Sequence, residues 1–357
     1  MWLLRALRVG AFLTPLMPPA MGYFLCRVVA VLFFACNFRA RRQVLDNLRH
    51  VEPSVSRARR YWDAVRVFIT VVVNYYDMVR LWTVDKDRVL EIFEVEGWDH
   101  LEEALSHGEG IIVLSAHVGN FNVVASYPAA AGGYHTAVIA ERVEPPALFD
   151  YLAGLRSGIG IDVIPPGSEA IRPLLRLLRN NGILLLAGDR DVVGHGEIQE
   201  FFGVPAALPV GPVLLAMRTG APLVPAFTLR RRHRPSIVYI SPPIDLVRTG
   251  DWEADLQHNH ALMARALERM IALDPGQWAV LQQIWPPASP YFGDRGEGLG
   301  GIPSTIKAKR PGYLRRAGRR ISAAVRPGSA ERGRLSDTGT PDRRESVAAA
   351  PRTPPRR

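Results

Sequence analysis

Between Gly97 and Ile240 the chain alternates short apolar runs with longer segments of helical periodicity, and this alternation restricts the fold more than any other feature. Gly110-Ile-Ile-Val-Leu-Ser-Ala116 is the clearest run, an apolar stretch opened by a glycine turn. Thr136–Ala140, Asp162–Ile164, Ile183–Ala187, Leu223–Leu229 and Ile237–Ile240 resemble it. Asn120–Ala130, Pro146–Ser157, Glu169–Asn180 and Pro212–Thr219 carry the helical spacing between them. Strands that are apolar throughout, separated by helices, predict an α/β sheet covered on both faces. Residues 40–82 read as helices, with Leu45, Leu48, Tyr61, Val65, Phe68, Val72 and Tyr76 at three- and four-residue spacings, and a last helix runs from Trp252 to Ala272. No internal repeat is evident.

The net charge of +10 suggests a polyanion partner until it is located. Residues 305–357 carry 15 Lys and Arg against 4 Asp and Glu, which leaves 29 against 30 in residues 1–304. The basicity belongs to the tail. It is rich in Pro, Gly, Ser and Ala and poor in aromatics, so burial cannot offset its ordering entropy and it is expected to be disordered. Without zinc-finger spacing or stacking aromatics, an anionic membrane surface fits it better than a specific nucleic acid; a solvated tail without a partner is the other reading.

Val9–Cys26 is uncharged but contains Gly10, Pro15, Pro18, Pro19 and Gly22, and Arg27 then interrupts before Val28–Phe38, so no unbroken span of about 20 apolar residues is expected. Arg5, Arg8, Arg39, Arg41 and Arg42 flank these pieces, with Trp2, Phe12, Tyr23, Phe33 and Phe34 interleaved. That make-up predicts an interfacial helix or short hairpin lying on a membrane; a hydrophobic helix docked on the protein's own core is the alternative. No cleavage site follows it in the manner of a removed signal peptide. Cys26 and Cys36 both lie in this stretch, so neither a disulfide framework nor a cysteine zinc site is expected.

His117 directly follows the first strand, in Ser115-Ala-His-Val-Gly-Asn-Phe-Asn122. Strand carboxyl ends meeting helix starts are where α/β proteins bind ligands, and a histidine there can serve as a general base. His258 and His260, two apart on a polar helix, face away from each other, so no zinc pair is expected. Asp189 and Asp191 lack any calcium-loop or zincin spacing, and no metal is expected. A Walker loop, a dinucleotide fingerprint and a G-x-S-x-G elbow are all missing, which argues against nucleotide enzymes and α/β-hydrolases.

Taken in order, several blocks resemble the bacterial lipid A biosynthesis late acyltransferases, within the wider glycerolipid acyltransferases, and most closely the actinobacterial phosphatidylinositol mannoside acyltransferases. They are Arg41-Arg-Gln-Val-Leu-Asp-Asn-Leu-Arg49, Ser115–Asn120, Ile139-Ala-Glu-Arg142 with Leu148-Phe149, Gly188-Asp-Arg-Asp191, Glu200-Phe-Phe-Gly203, Pro209-Val-Gly-Pro212 and Arg218–Ala226. Together with the composition, the resemblance divides the chain into a membrane-associating helical region over 1–85, an acyltransferase α/β core over 86–295 and, beyond the resemblance, a disordered basic tail over 296–357. It implies transfer of an acyl group from acyl-CoA or acyl-carrier protein to a hydroxyl of a membrane glycolipid, best read as a phosphatidylinositol mannoside, at the cytoplasmic face of the plasma membrane. No cofactor is implied beyond acyl-CoA as co-substrate.

In this scheme His117 removes the hydroxyl proton, and the family's H-x-x-x-x-D/E motif supplies a carboxylate that fixes the imidazole tautomer. Here that position is Asn122, an amide without charge. Three readings stay open. Another acid assists His117, with Glu141 first and Asp189 and Glu200 behind it; or Asn122 orients the ring well enough for a slow enzyme; or the chain is a lipid-binding pseudoenzyme. Arg142, Asp189, Arg190, Gly119 and Asn120 are the expected substrate-binding positions. Arg142 and Arg190 suit a phosphate or phosphopantetheine, and equally a loop-shaping salt bridge to Glu141 or Asp191.

Overall fold

The computed structural model describes residues 2–84, 88–140, 143–165, 170–191, 194, 196–232 and 234–285, all within one compact unit, Met1–Glu297. The basic tail lies outside the described residues. The chain opens with α1 (Trp2–Leu13), a 3-10 turn at Thr14–Leu16, α2 (Pro19–Cys36), α3 (Phe38–Val51) and α4 (Arg57–Val84). The α/β part follows: α5 (Val89–Ile92), β1 (Phe93–Glu96), α6 (Trp98–Ser106), β2 (Ile111–Ser115), α7 (Phe121–Val124), α8 (Tyr127–Gly132), β3 (Thr136–Ile139), α9 (Pro146–Ser157), β4 (Ile161–Ile164) and α10 (Ile171–Arg179). Then come β5 (Ile183–Ala187), β6 (Glu197–Phe201), β7 (Val204–Leu208), α11 (Gly211–Thr219), β8 (Leu223–Leu229), β9 (Ser236–Ile240) and α12 (Trp252–Leu273), with a 3-10 turn at Pro275–Gln277.

Seven strands form one sheet in the order β1-β9-β8-β2-β5-β3-β4, parallel at every pairing except β8 with β9. The expected α/β sheet flanked by helices is therefore observed. All five residues of β2 are buried, as the uninterrupted apolar run requires. Its side chains divide between two cores: Ile112 and Leu114 join α10, α11 and α12 on one face, while Ile111 and Val113 join α4, α6 and α9 on the other. A third core, with Ala30, Phe34, Val44, Leu48 and Phe68, binds α2 and α3 to α4.

The N-terminal stretch differs from the expectation of an interruption at Arg27. Here α2 runs unbroken through Arg27, and by length and composition it could cross a membrane, with a mean hydropathy of 1.8 over 18 residues. A single exposed charge on one helix face does not stop a helix. The prolines punctuate instead: Pro19 stands in the first turn of α2, where a missing N–H costs nothing. Gly22 lets α2 approach α4, because a Cβ there would lie 2.1 Å from the Tyr76 hydroxyl. The helix expected over 120–130 is split into α7 and α8, the second restarting with Pro128 in its first turn. Strand β1 and the antiparallel β6–β7 hairpin were not anticipated.

Candidate functional site

The site grows from the register of two neighbouring parallel strands. β2 pairs with β5 from Ile111 opposite Ile183 to Ser115 opposite Ala187. His117 and Asp189 each follow the last pair by two residues, so the strand spacing of about 4.8 Å delivers both side chains to one spot at the carboxyl edge. The His117 ring meets Asp189 Oδ1 through Nδ1 at 2.7 Å. The His117 main-chain N–H donates to Oδ2 at 3.0 Å, and the Trp278 indole Nε1–H donates to the same oxygen at 2.7 Å.

Asp189 is wholly buried, and burial alone would push its carboxyl up. The charge of the His117 ring and the hydrogen bonds from that ring, from Trp278 and from the His117 amide outweigh burial and bring it down to about 2. An ionised carboxylate only accepts, so Nδ1 carries a proton, which in the neutral ring leaves the lone pair on Nε2. Nε2 has no partner among the described residues. The ring packs edge-on against Phe121, with centroids 4.9 Å apart, and borders a cavity of about 670 Å³. Val138, Leu152, Ile161, Leu174 and Leu185 contribute to its largely apolar wall.

The loop that presents His117 is tied down on both sides. Gly119 has φ +61°, and a Cβ would lie 2.0 Å from the Thr228 carbonyl oxygen, so no side chain fits. Its N–H donates to the Gln277 carbonyl and its own carbonyl accepts from Asn74 Nδ2 at 2.7 Å. The His117 carbonyl accepts from the Ala279 N–H at 2.7 Å, which carries the chain past Trp278. Asn120 Oδ1 accepts from Arg230 Nη2 at 2.9 Å; Arg230 pairs with Asp77, and Asp77 accepts the Tyr23 hydroxyl of α2 at 2.7 Å. Gly119 and Asn120, expected to bind substrate, are thus engaged in holding the loop.

The other expected residues distribute as follows. Asn122 is buried, and its Oδ1 accepts from Arg156 Nη2 at 3.1 Å rather than from His117. Arg190 borders the cavity beside Asp191, whose two carboxylate oxygens accept from the N–H groups of Gly194 and Gly196. Glu200 is exposed on β6, opposite Pro205, and does not border the cavity. Glu141 and Arg142 lie outside the described residues. Two residues escaped the sequence reading. Trp278 belongs to no spacing pattern, and Arg156 looks like an ordinary cation in the last turn of a helix, where the helix dipole favours one.

A His–carboxylate pair at the carboxyl edge of a mostly parallel sheet, beside a largely apolar cavity, makes this an α/β protein whose site has the groups for general-base chemistry. The chain belongs to the bacterial lipid A biosynthesis acyltransferase family, whose model matches residues 1–286. It is similar to the phosphatidylinositol mannoside acyltransferase of Mycobacterium tuberculosis, with 33% identity over 230 residues, or 63% of this chain and 67% of that protein. It is similar also to the protein of that name in Mycolicibacterium smegmatis, with 30% identity over 229 residues, or 62% of this chain and 72% of the relative.

Proposed function

We propose that the protein moves a fatty acyl group from a thioester, acyl-CoA or acyl-carrier protein, to a hydroxyl of a membrane glycolipid, with a phosphatidylinositol mannoside as the favoured acceptor. The observation that carries the reading is the His117–Asp189 pair beside the apolar cavity. His117 Nε2 takes the proton as the acceptor oxygen attacks the thioester carbonyl; the C–S bond then breaks and the proton passes to the departing thiolate. Asp189 holds Nδ1–H and stabilises the imidazolium formed on the way. It supplies the carboxylate that position 122 lacks. The cavity takes the acyl chain, and Arg190 at its border suits a phosphate of the donor.

Membrane association on the cytoplasmic face, where acyl-CoA is made, completes the reading. α2 packs along α4 through Gly22, Ala30 and Phe34 while Phe24, Leu25, Val28 and Leu32 are exposed. A helix engaged along its length by the protein's core is better placed in the plane of the interface than across the bilayer, and there Arg27 can reach headgroups. Purified protein supplied with palmitoyl-CoA and a panel of inositol mannosides and lysolipids should transfer the acyl group, and His117→Ala should lower turnover at least a thousandfold. Absence of transfer in both proteins, with lipid still bound, would establish the pseudoenzyme instead.

A further inference from the structure

The arginines that turn inward in this molecule are distinguished by their partners. Arg66 meets Asp63 and Asp274, and Arg230 meets Asp77. Arg60 spends its donors on the carbonyls of Glu52, Pro53 and Val55. Arg156 differs. It rises from the last turn of α9 into the wall of the cavity that His117 borders, and among the described residues its hydrogen bond goes to the amide oxygen of Asn122. A guanidinium has five N–H donors. Among the described residues no carboxylate pairs with it, and the carboxylate of Asp191 in the same wall already accepts two main-chain N–H groups. Burial pushes the Arg156 guanidinium down from its ordinary value, and the nearby Tyr75 phenol only partly opposes that.

A half-buried cation with no carboxylate beside it is costly, and an anion that enters the cavity would relieve that cost. Among the described residues, the group that meets Arg156 is the amide of position 122 rather than an acid. An acid there would close a salt bridge with Arg156; asparagine offers the same reach and one acceptor but leaves the charge facing the cavity.

We propose that Arg156, oriented by Asn122, is an anion subsite within the cavity that receives a phosphoester oxyanion of a bound lipid substrate. The proposal rests on the acyltransferase reading for what occupies the cavity. Two sources of that oxyanion are compatible with the chemistry: the phosphopantetheine of the donor and the phosphodiester of the acceptor. Guanidinium suits either through paired N–H donors.

The test is binding of unreactive amphiphiles to the full chain in neutral detergent, followed by titration calorimetry. Hexadecyl phosphate should bind at least about tenfold tighter than hexadecanol, the ratio expected of a charge-assisted hydrogen bond. Arg156→Gln should bring the two to parity. Asn122→Asp should do the same with the guanidinium still present, because the new carboxylate occupies it; this variant carries the test if Arg156→Gln fails to fold. Parity in the unaltered protein, or a preference that survives both substitutions, would overturn the proposal. The source follows from two further ligands: Arg156→Gln should weaken S-hexadecyl-coenzyme A if the donor phosphate occupies the subsite, and lysophosphatidylinositol if the acceptor does. A protein that transfers acyl groups without anion preference sinks this inference alone, and anion preference in a protein that transfers nothing sinks only the reading it rests on.

Discussion

Asp189 at the strand ends and Asp63 within α4 are both wholly buried beside basic side chains, and their surroundings give them opposite uses. Asp63 is bracketed by Arg59 and Arg66, and Arg66 continues to Asp274. Guanidinium groups do not exchange protons at ordinary pH, so that cluster can only hold α4 to the segment following α12. Asp189 instead faces an imidazole, which can gain or lose a proton, and the far side of that imidazole borders a cavity. The same burial and charge make a fastener in one place and a proton-handling pair in the other; the partner's ability to titrate is the difference.

The sharpest way to break this contrast is Asp189→Asn. Removing the acid that fixes the tautomer should lower turnover by about a thousandfold or more per folded molecule, with the fold retained by circular dichroism. A tenfold loss or less would demote Asp189 to a second fastener. Asp63→Asn should act the other way round, leaving turnover of the folded protein within severalfold while costing about 3 kcal/mol in denaturant unfolding, because the amide presents N–H groups to guanidinium donors. A large loss of turnover at unchanged stability would show that the α4 cluster acts on the site.

The same contrast marks what a single sequence can reveal. His117 was legible because a local signal, an apolar run ending at a helix start, places it at a sheet's carboxyl edge. The order of β2, β3, β4, β5, β8 and β9 and of the helices between them was legible for the same reason, since periodicity is local. The pairing of His117 with Asp189 was not, because it depends on β2 lying next to β5, 72 residues away in sequence, in one register. The motif spacing pointed to position 122, which faces Arg156 across the cavity wall. Continuity of α2 was missed because Arg27 was weighed as a break, although its side chain is exposed on a helix whose other face is buried.

Trp278→Phe gives the smallest expected effect and the finest one. The indole N–H is one of three donors to Asp189 and belongs to a fully buried ring. Asp189 folds with its pKa depressed to about 2, so its contribution to stability is complete above the unfolded value near 3.9 and is lost as pH falls through the folded value. Without the indole donor the folded value rises and that contribution shrinks. The variant should lose about 1 kcal/mol at neutral pH and about tenfold in turnover, and its deficit in stability should narrow as pH is lowered from about 4 towards 2. Packing lost with the smaller ring does not depend on pH, so the narrowing isolates the hydrogen bond. A deficit that stays constant through that window in urea titrations would mean that Trp278 merely fills space, and that Asp189 is held ready by His117 alone.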